Sequence, residues 1–284
     1  MDLTQQHDHR LPDGRNLAYA MWGDASGPVI FHLHGTGSSR FEAAALARAA
    51  EDLPLHVIGV DRPGSGASTH DPKRDFRSFQ ADIEHLAQSL GIDRFFVSGV
   101  SGGAAFTCGL ARSPRVIKAY PLNIPADPGS KAWRKTPFGL RFLIWLMIRP
   151  IVFRRASRRA AGNPLGRTRQ SNMPDIDKKV LLEEIPDIWT AAIKEGSRLG
   201  TKGIERDTRV IRKSWGIDWD ALPALEIRQG KLDPFLPFPR ALAKVQSNVS
   251  LIEFDGGHVA ALGRNVLRGV AEDVLRVAQQ RADR

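Results

Sequence analysis

The run Phe95-Phe96-Val97-Ser98-Gly99-Val100-Ser101-Gly102-Gly103-Ala104-Ala105-Phe106 leaves this chain few ways to fold. An apolar, β-prone stretch from Phe95 to Ser98 runs into a Gly99-x-Ser101-x-Gly103 corner, and Ala104 to Arg112 is apolar enough for a buried helix. The pattern predicts strand, sharp turn and helix in immediate succession. A serine at such a corner needs neighbours without side chains, because strand and helix pass within contact distance of each other there. Its hydroxyl then stands above the end of the sheet. The N–H of Gly102, first in a helix, points to where negative charge forms if that hydroxyl attacks a carbonyl. Taken alone, the same spacing also fits a Gly/Ser loop that opens an ordinary helix.

The rest of the chain repeats the strand-helix alternation. His7–Arg10 and Leu17–Trp22 flank Pro12-Asp13-Gly14-Arg15, which predicts a hairpin. Val29–Leu33 and His56–Val60 are continuous apolar runs of the kind buried on both faces of a parallel sheet. Helices are expected over Glu42–Asp52 and Phe76–Leu90, the second stopped by Gly91. Val116–Leu122 reads as a further strand. From about Ile124 to Trp219 the texture changes to Arg-rich, Pro-interrupted helical or irregular sequence without a convincing buried strand. Strands resume at Leu225–Gln229 and Val249–Phe254, and Val266–Ala278 closes the chain as an amphipathic helix. The expectation is an α/β core made of residues 1–123 and 220–284 around an inserted helical lid, residues 124–219.

With 42% hydrophobic and 25% charged residues in 284, the chain can bury a sizeable core. Its longest uncharged apolar run, Phe142–Ile148, is far short of the roughly 20 residues that cross a bilayer, and Met1–Gln6 is no signal peptide. A cytoplasmic location is expected. A net charge of +10 raises nucleic acid as a partner. The segment Lys131–Arg169, however, holds eleven Lys/Arg and no Asp/Glu, which accounts for the whole excess. No zinc-finger, helix-turn-helix or aromatic RNA-binding signature accompanies it, so no nucleic-acid role is expected. The apolar stretch Phe138–Phe153 beside Arg154, Arg155, Arg158 and Arg159 raises instead a weak contact with an anionic membrane, against simple inward packing of the segment. Cys108 is the single cysteine and reads as a buried apolar residue.

Ser101, Asp233 and His258 each lie just beyond the C-terminal end of an expected parallel strand, where open α/β sheets place ligands. Serine hydrolysis needs a base for the hydroxyl proton and a carboxylate to orient that base, and the chain offers one of each in the order Ser, Asp, His. Asp127, after the sixth expected strand, is the competing acid; Asp233 is preferred because Asp127 stands where the lid begins. Asp255 reads as a turn residue. His32 and His34 point the same way on a strand, yet no acidic or histidine partners cluster with them, and no metal is expected. His34 is expected to pack under the loop that follows it.

Five pieces stand together: His34-Gly35-Thr36 after the third strand, Asp61-Arg62-Pro63-Gly64-Ser65-Gly66 after the fourth, the Ser101 corner, Asp233, and Gly257-His258. In these the chain resembles the α/β-hydrolase superfamily over essentially its whole length, most of all its lid-bearing, serine esterase-like branch. The resemblance implies Ser101 as nucleophile, His258 as base and Asp233 as its partner. It also implies the backbone N–H groups of Thr36 and Gly102 as the oxyanion hole, and no cofactor. Dehalogenases and epoxide hydrolases of this fold carry aspartate where Ser101 stands, and the lipase-type His-Gly-Gly-Gly run is absent. The expected activity is hydrolysis of a carboxylic ester of a small or medium apolar substrate through an acyl-enzyme. Amide, peptide or C–C bond hydrolysis on the same residues, and a non-catalytic small-ligand-binding module, are the alternatives. Glu205 and Asp207 could hold a substrate amine, as lid acids do in proline iminopeptidases, although surface salt bridges to nearby arginines are the simpler expectation.

Overall fold

In the computed structural model, which describes residues 1–134, 138–139, 141–142 and 149–283, the apolar runs assemble into one sheet. The strands are β1 (His7–Arg10), β2 (Asn16–Gly23), β3 (Val29–Leu33), β4 (His56–Val60), β5 (Phe95–Val100), β6 (Val116–Leu122), β7 (Leu225–Gly230) and β8 (Val249–Phe254). Their order is β1-β2-β4-β3-β5-β6-β7-β8. The β1–β2 hairpin is antiparallel, and β2 runs antiparallel to β4. Every later pair is parallel. β5 lies between β3 and β6 and all its residues are buried, as a strand apolar but for Ser98, whose Oγ meets His32, requires.

Each face of the sheet is covered by helices, because strands this apolar cannot leave either face to water. On one face α2 (Phe76–Ser89) and α3 (Gly102–Leu110) bring Phe79, Ile83 and Phe106 against Phe31, Phe95 and Val97. On the other, α1 (Ala43–Ala49) and the helix Arg264–Ala282 bring Leu46, Leu267, Val270 and Val274 against Ile30, Val57 and Phe96. α2 begins at a capping box in which Asp75 and Ser78 each take the other's backbone N–H. Most boundaries fall within a few residues of expectation, and the departures with a physical reason are at the first and last helices. The first turn of the helix expected from Glu42 is a 3₁₀ turn, Arg40–Glu42, whose buried side chains reach into the core. The last helix runs further at both ends, over polar residues that carry no hydrophobic period.

Between β6 and β7 the described elements are all helical, and three of the helices, Pro150–Gly162, Pro164–Arg169 and Pro186–Gly196, open on a proline. Of the apolar segment Phe138–Ile148, residues 140 and 143–148 lie outside the described residues. Phe138 and Phe142 are exposed, at 76% and 56%, so these two do not pack inward. No described helix is long and apolar enough to cross a membrane.

Candidate active site

Ser101 joins β5 to α3 with φ 56° and ψ −119°, a conformation costly for a residue with a side chain, on the order of 1–3 kcal/mol. The surroundings hold it there. Its N–H donates to Leu122 O on β6 at 2.9 Å, and its carbonyl accepts from Ala104 N at 3.0 Å. The glycine two residues on is obligatory, since a Cβ on Gly103 would lie 1.9 Å from Leu33 O of β3. Thr36 stands against the start of α3, its Oγ1 2.1 Å from where a Cβ of Gly102 would be. Neither the Thr36 nor the Gly102 N–H has an acceptor among the described residues.

His258 and Asp233 come from the loops after β8 and β7. Those loops are tied together by Lys231 N to Phe254 O and Leu232 N to Gly256 O, both 2.9 Å. The result is an unbroken hydrogen-bonded chain: Ser101 Oγ to His258 Nε2 at 2.8 Å, and His258 Nδ1 to Asp233 Oδ2 at 2.7 Å. Asp233 is buried, and its other oxygen accepts Phe235 N at 2.8 Å. Burial opposes charge on His258, but the Asp233 carboxylate and its hydrogen bond, with Asp177 adding to them, raise its pKa above the ordinary imidazole value. With Nδ1–H donated to Asp233, the Nε2 lone pair faces the Ser101 hydroxyl, so this chain can move the hydroxyl proton to the ring.

Two residues outside the sequence-level expectation fix the His258 loop. Asn123, at φ 46° just past β6, donates from Nδ2 to Gly257 O at 3.0 Å and His258 O at 2.5 Å and accepts Gly230 N at 2.7 Å. Asp177, in the helix Asp175–Lys179, accepts Gly257 N at 2.7 Å and Val259 N at 3.3 Å. An asparagine leaving a strand in the left-handed region is a faint sequence signal. Asp177 gives none, because it reads as one of several helix-start acids.

The loop that carries Thr36 is held from below. His34 is fully buried; its Nδ1–H donates to Gly35 O at 2.8 Å and its Nε2 accepts Arg62 N at 3.2 Å. Burial, reinforced by the Arg62 charge, holds His34 well below the usual imidazole range, which agrees with this neutral tautomer. Arg62 donates to the carbonyls of His34 and Gly35 and, at 2.8 Å, to Asp207 of the helix Lys202–Ile211. Arg74 reaches the other oxygen of Asp207 at 2.5 Å. Burial works against the Asp207 charge, yet the two guanidiniums keep its pKa below the ordinary carboxylate value.

Asp207 therefore departs from expectation. It is paired with arginines, but all three groups are 0% exposed, so the pairing is no surface salt bridge and no substrate amine reaches it. Glu205 is partly exposed, 3.7 Å from Arg154. Asp127 spends its carboxylate on Gly129 N at 2.9 Å, Trp215 N at 3.1 Å and Trp219 Nε1 at 3.2 Å. Asp255 makes an exposed pair with Lys231. His32 is buried against Ser98 Oγ at 2.9 Å, and Cys108 is buried, which pushes its thiol pKa well up. No group of three or more His, Cys, Asp or Glu is disposed to hold a metal ion among the described residues.

A mostly parallel sheet whose fifth strand ends in a serine on a strained corner, within reach of an imidazole, is the architecture of the α/β hydrolases. Residues 30–268 match the alpha/beta hydrolase family, and the chain belongs to that family. It is a hydrolase of α/β fold. No curated protein matches it in sequence. Similar solved structures include the enol-lactonase from Burkholderia xenovorans LB400, with 17% identity over 95% of this chain and 100% of that one and a TM-score of 0.67. Epoxide Hydrolase A from Mycobacterium thermoresistibile shares 21% identity over 96% and 98%, with a TM-score of 0.68. An esterase from Exiguobacterium antarcticum shares 15% identity over 95% and 99%, also at 0.68.

Proposed function

We propose that this protein is a serine hydrolase that cleaves a carboxylic ester through an acyl-enzyme on Ser101. The observation that carries the reading is the continuous chain from Ser101 Oγ through His258 to Asp233. Ser101 Oγ attacks the ester carbonyl while His258 Nε2 takes its proton. The C–O bond then breaks, and His258 returns the proton to the leaving alkoxide as alcohol. Water, deprotonated by the same nitrogen, attacks the acyl carbon and releases the acid and the free serine. Asp233 orients the ring and stabilises it as imidazolium. The N–H groups of Thr36 and Gly102 meet the oxyanion, which exists only after attack, an effect of about 10²–10³ in rate per donor. Residues 124–219 act as the lid over this site.

Opening an epoxide through an alkyl-ester intermediate calls for a carboxylate nucleophile, and position 101 carries a hydroxyl. Two of the similar structures are named as an esterase and an enol-lactonase, which supports ester chemistry over the amide and C–C alternatives. The test is a panel of matched ester, amide and diketone substrates. Ester turnover is expected to exceed the other two and to vanish in Ser101→Ala. Faster cleavage of the amide or diketone would move the reading to those bonds, and binding without any turnover would make the chain a ligand-binding module.

A further inference from the structure

We infer that Asp177, a carboxylate from the helical segment between β6 and β7, is a positioning residue that holds the His258 loop in register with Ser101 and sustains the imidazolium. The inference rests on the serine-hydrolase reading above and assigns a residue which that reading leaves without a part.

The loop after β8 exposes its peptide groups on two sides, and each side is satisfied by a different part of the chain. Its carbonyls, Gly257 O and His258 O, accept from Asn123, which belongs to the sheet. Its N–H groups, from Gly257 and Val259, donate to Asp177, which is 1% exposed. The fit is close: a Cβ on Gly257 would fall 2.6 Å from Asp177 Oδ2. Buried donors of this kind need a partner, so the loop geometry present here requires an acceptor at position 177. The segment between β6 and β7 thereby completes the seat of the base, and His258 is correctly held only when the helix carrying Asp177 is in place.

The acceptor also carries charge. Two charged groups act on the imidazole: Asp233, from the loop after β7, bonded to its Nδ1, and Asp177, from the helix Asp175–Lys179, bonded to the peptide N–H groups of the residues on either side of it. Asp255 is turned outward onto Lys231. Both groups are acids, so both favour the protonated ring that forms when Ser101 gives up its proton. Asp233 touches the ring directly, whereas Asp177 acts through the two flanking amides and through its field.

Two substitutions separate the parts. Asp177→Asn removes the charge and keeps one acceptor oxygen for the shorter bond, from Gly257 N, while giving up the longer one from Val259 N; Asp177→Ala removes the charge and both acceptors. His258 is a base only when neutral, so activity rises with pH through its pKa. Loss of the Asp177 charge lowers that pKa, and the acid limb of the kcat/KM profile in Asp177→Asn is expected to move down by ~0.5–1 pH unit. Asp177→Ala is expected to lose at least ~10-fold in kcat with KM little changed, because the misplaced base, not substrate binding, is at fault. The imidazole titration of His258 followed by NMR in the ligand-free protein should show the same downward shift in Asp177→Asn, whatever the activity. An unshifted His258 titration in Asp177→Asn, or a wild-type kcat in Asp177→Ala, overturns the inference. Failure of the underlying reading looks different: Ser101 unreactive toward a serine-directed phosphonate in the wild type, with the His258 titration still reporting on Asp177.

Discussion

Three carboxylates lie near the ends of the strands that flank Ser101 or follow it, and only their hydrogen-bond partners tell them apart. Asp233 gives one oxygen to His258 and is buried. Asp127 is saturated by two backbone N–H groups and an indole, and Asp255 faces solvent beside Lys231. Replacing Asp233 with Asn removes the carboxylate that fixes the tautomer of His258, and a loss of ~10³–10⁴ in kcat is expected. Asp127→Asn should stay within about tenfold of wild type and cost stability instead, since a buried acceptor of three bonds is altered. Steady-state kinetics of the two variants decides; an inactive Asp127→Asn beside a near-normal Asp233→Asn would relocate the acid to the end of β6.

At this scale the sequence is readable where chemistry restricts the residue type. Serine on a corner needs glycines within contact distance of β3, and base and acid must follow strand ends, so Ser101, His258 and Asp233 stand out. Asn123 and Asp177 do not, because any chain contains many asparagines and acids. Their parts arise from a loop 80 or more positions away that only the folded chain brings to them. Asp207 reads as a surface acid for the same reason: the two arginines that bury it lie on the loop after β4 and just before α2.

Between elements, the segment that follows β6 is docked on the core through buried polar contacts. Glu195 meets Arg40, which also pairs with buried Asp61, and Asp207 meets Arg62 and Arg74; within the segment, the 215–219 stretch hangs its N–H groups on Asp127. Arg62 links this docking to the carbonyls of His34 and Gly35, immediately before Thr36. Removing the acid from a buried cluster leaves two guanidiniums without a counter-charge, so Asp207→Ala is expected to destabilise by about 3–5 kcal/mol in urea unfolding. The sign of the pH dependence follows from the depressed pKa of Asp207. Its contribution is fully present above the unfolded carboxylate pKa and is lost as pH falls through the folded one, so the gap between wild type and variant should close in acid. A variant as stable as wild type at neutral pH, or a gap that widens on acidification, would contradict this account of the cluster.

For the whole molecule, hydrophobic texture predicts an open α/β sheet, because strands buried on both faces are nearly continuous apolar runs and amphipathic helices are not. Strand order and the reversal of β2 follow from packing over the sheet and leave no mark on local sequence. The same is true of the 3₁₀ turn at Arg40–Glu42, where Glu42 is drawn in to accept Gly35 N at 2.8 Å. The charge is unevenly spread: eleven cations and no acid fall between Lys131 and Arg169, while the strands and the loops that hold Ser101, Asp233 and His258 belong to the nearly neutral remainder. The central claim, that this fold exists to make Ser101 a nucleophile, is tested most directly by treating the folded protein with a serine-reactive phosphonate and locating the adduct by intact mass and peptide mapping. A single adduct on Ser101 is expected, forming faster as pH rises through the raised pKa of His258 and absent from Ser101→Ala. An adduct that persists in Ser101→Ala, or a wild-type protein that stays unlabelled while folded, would contradict it.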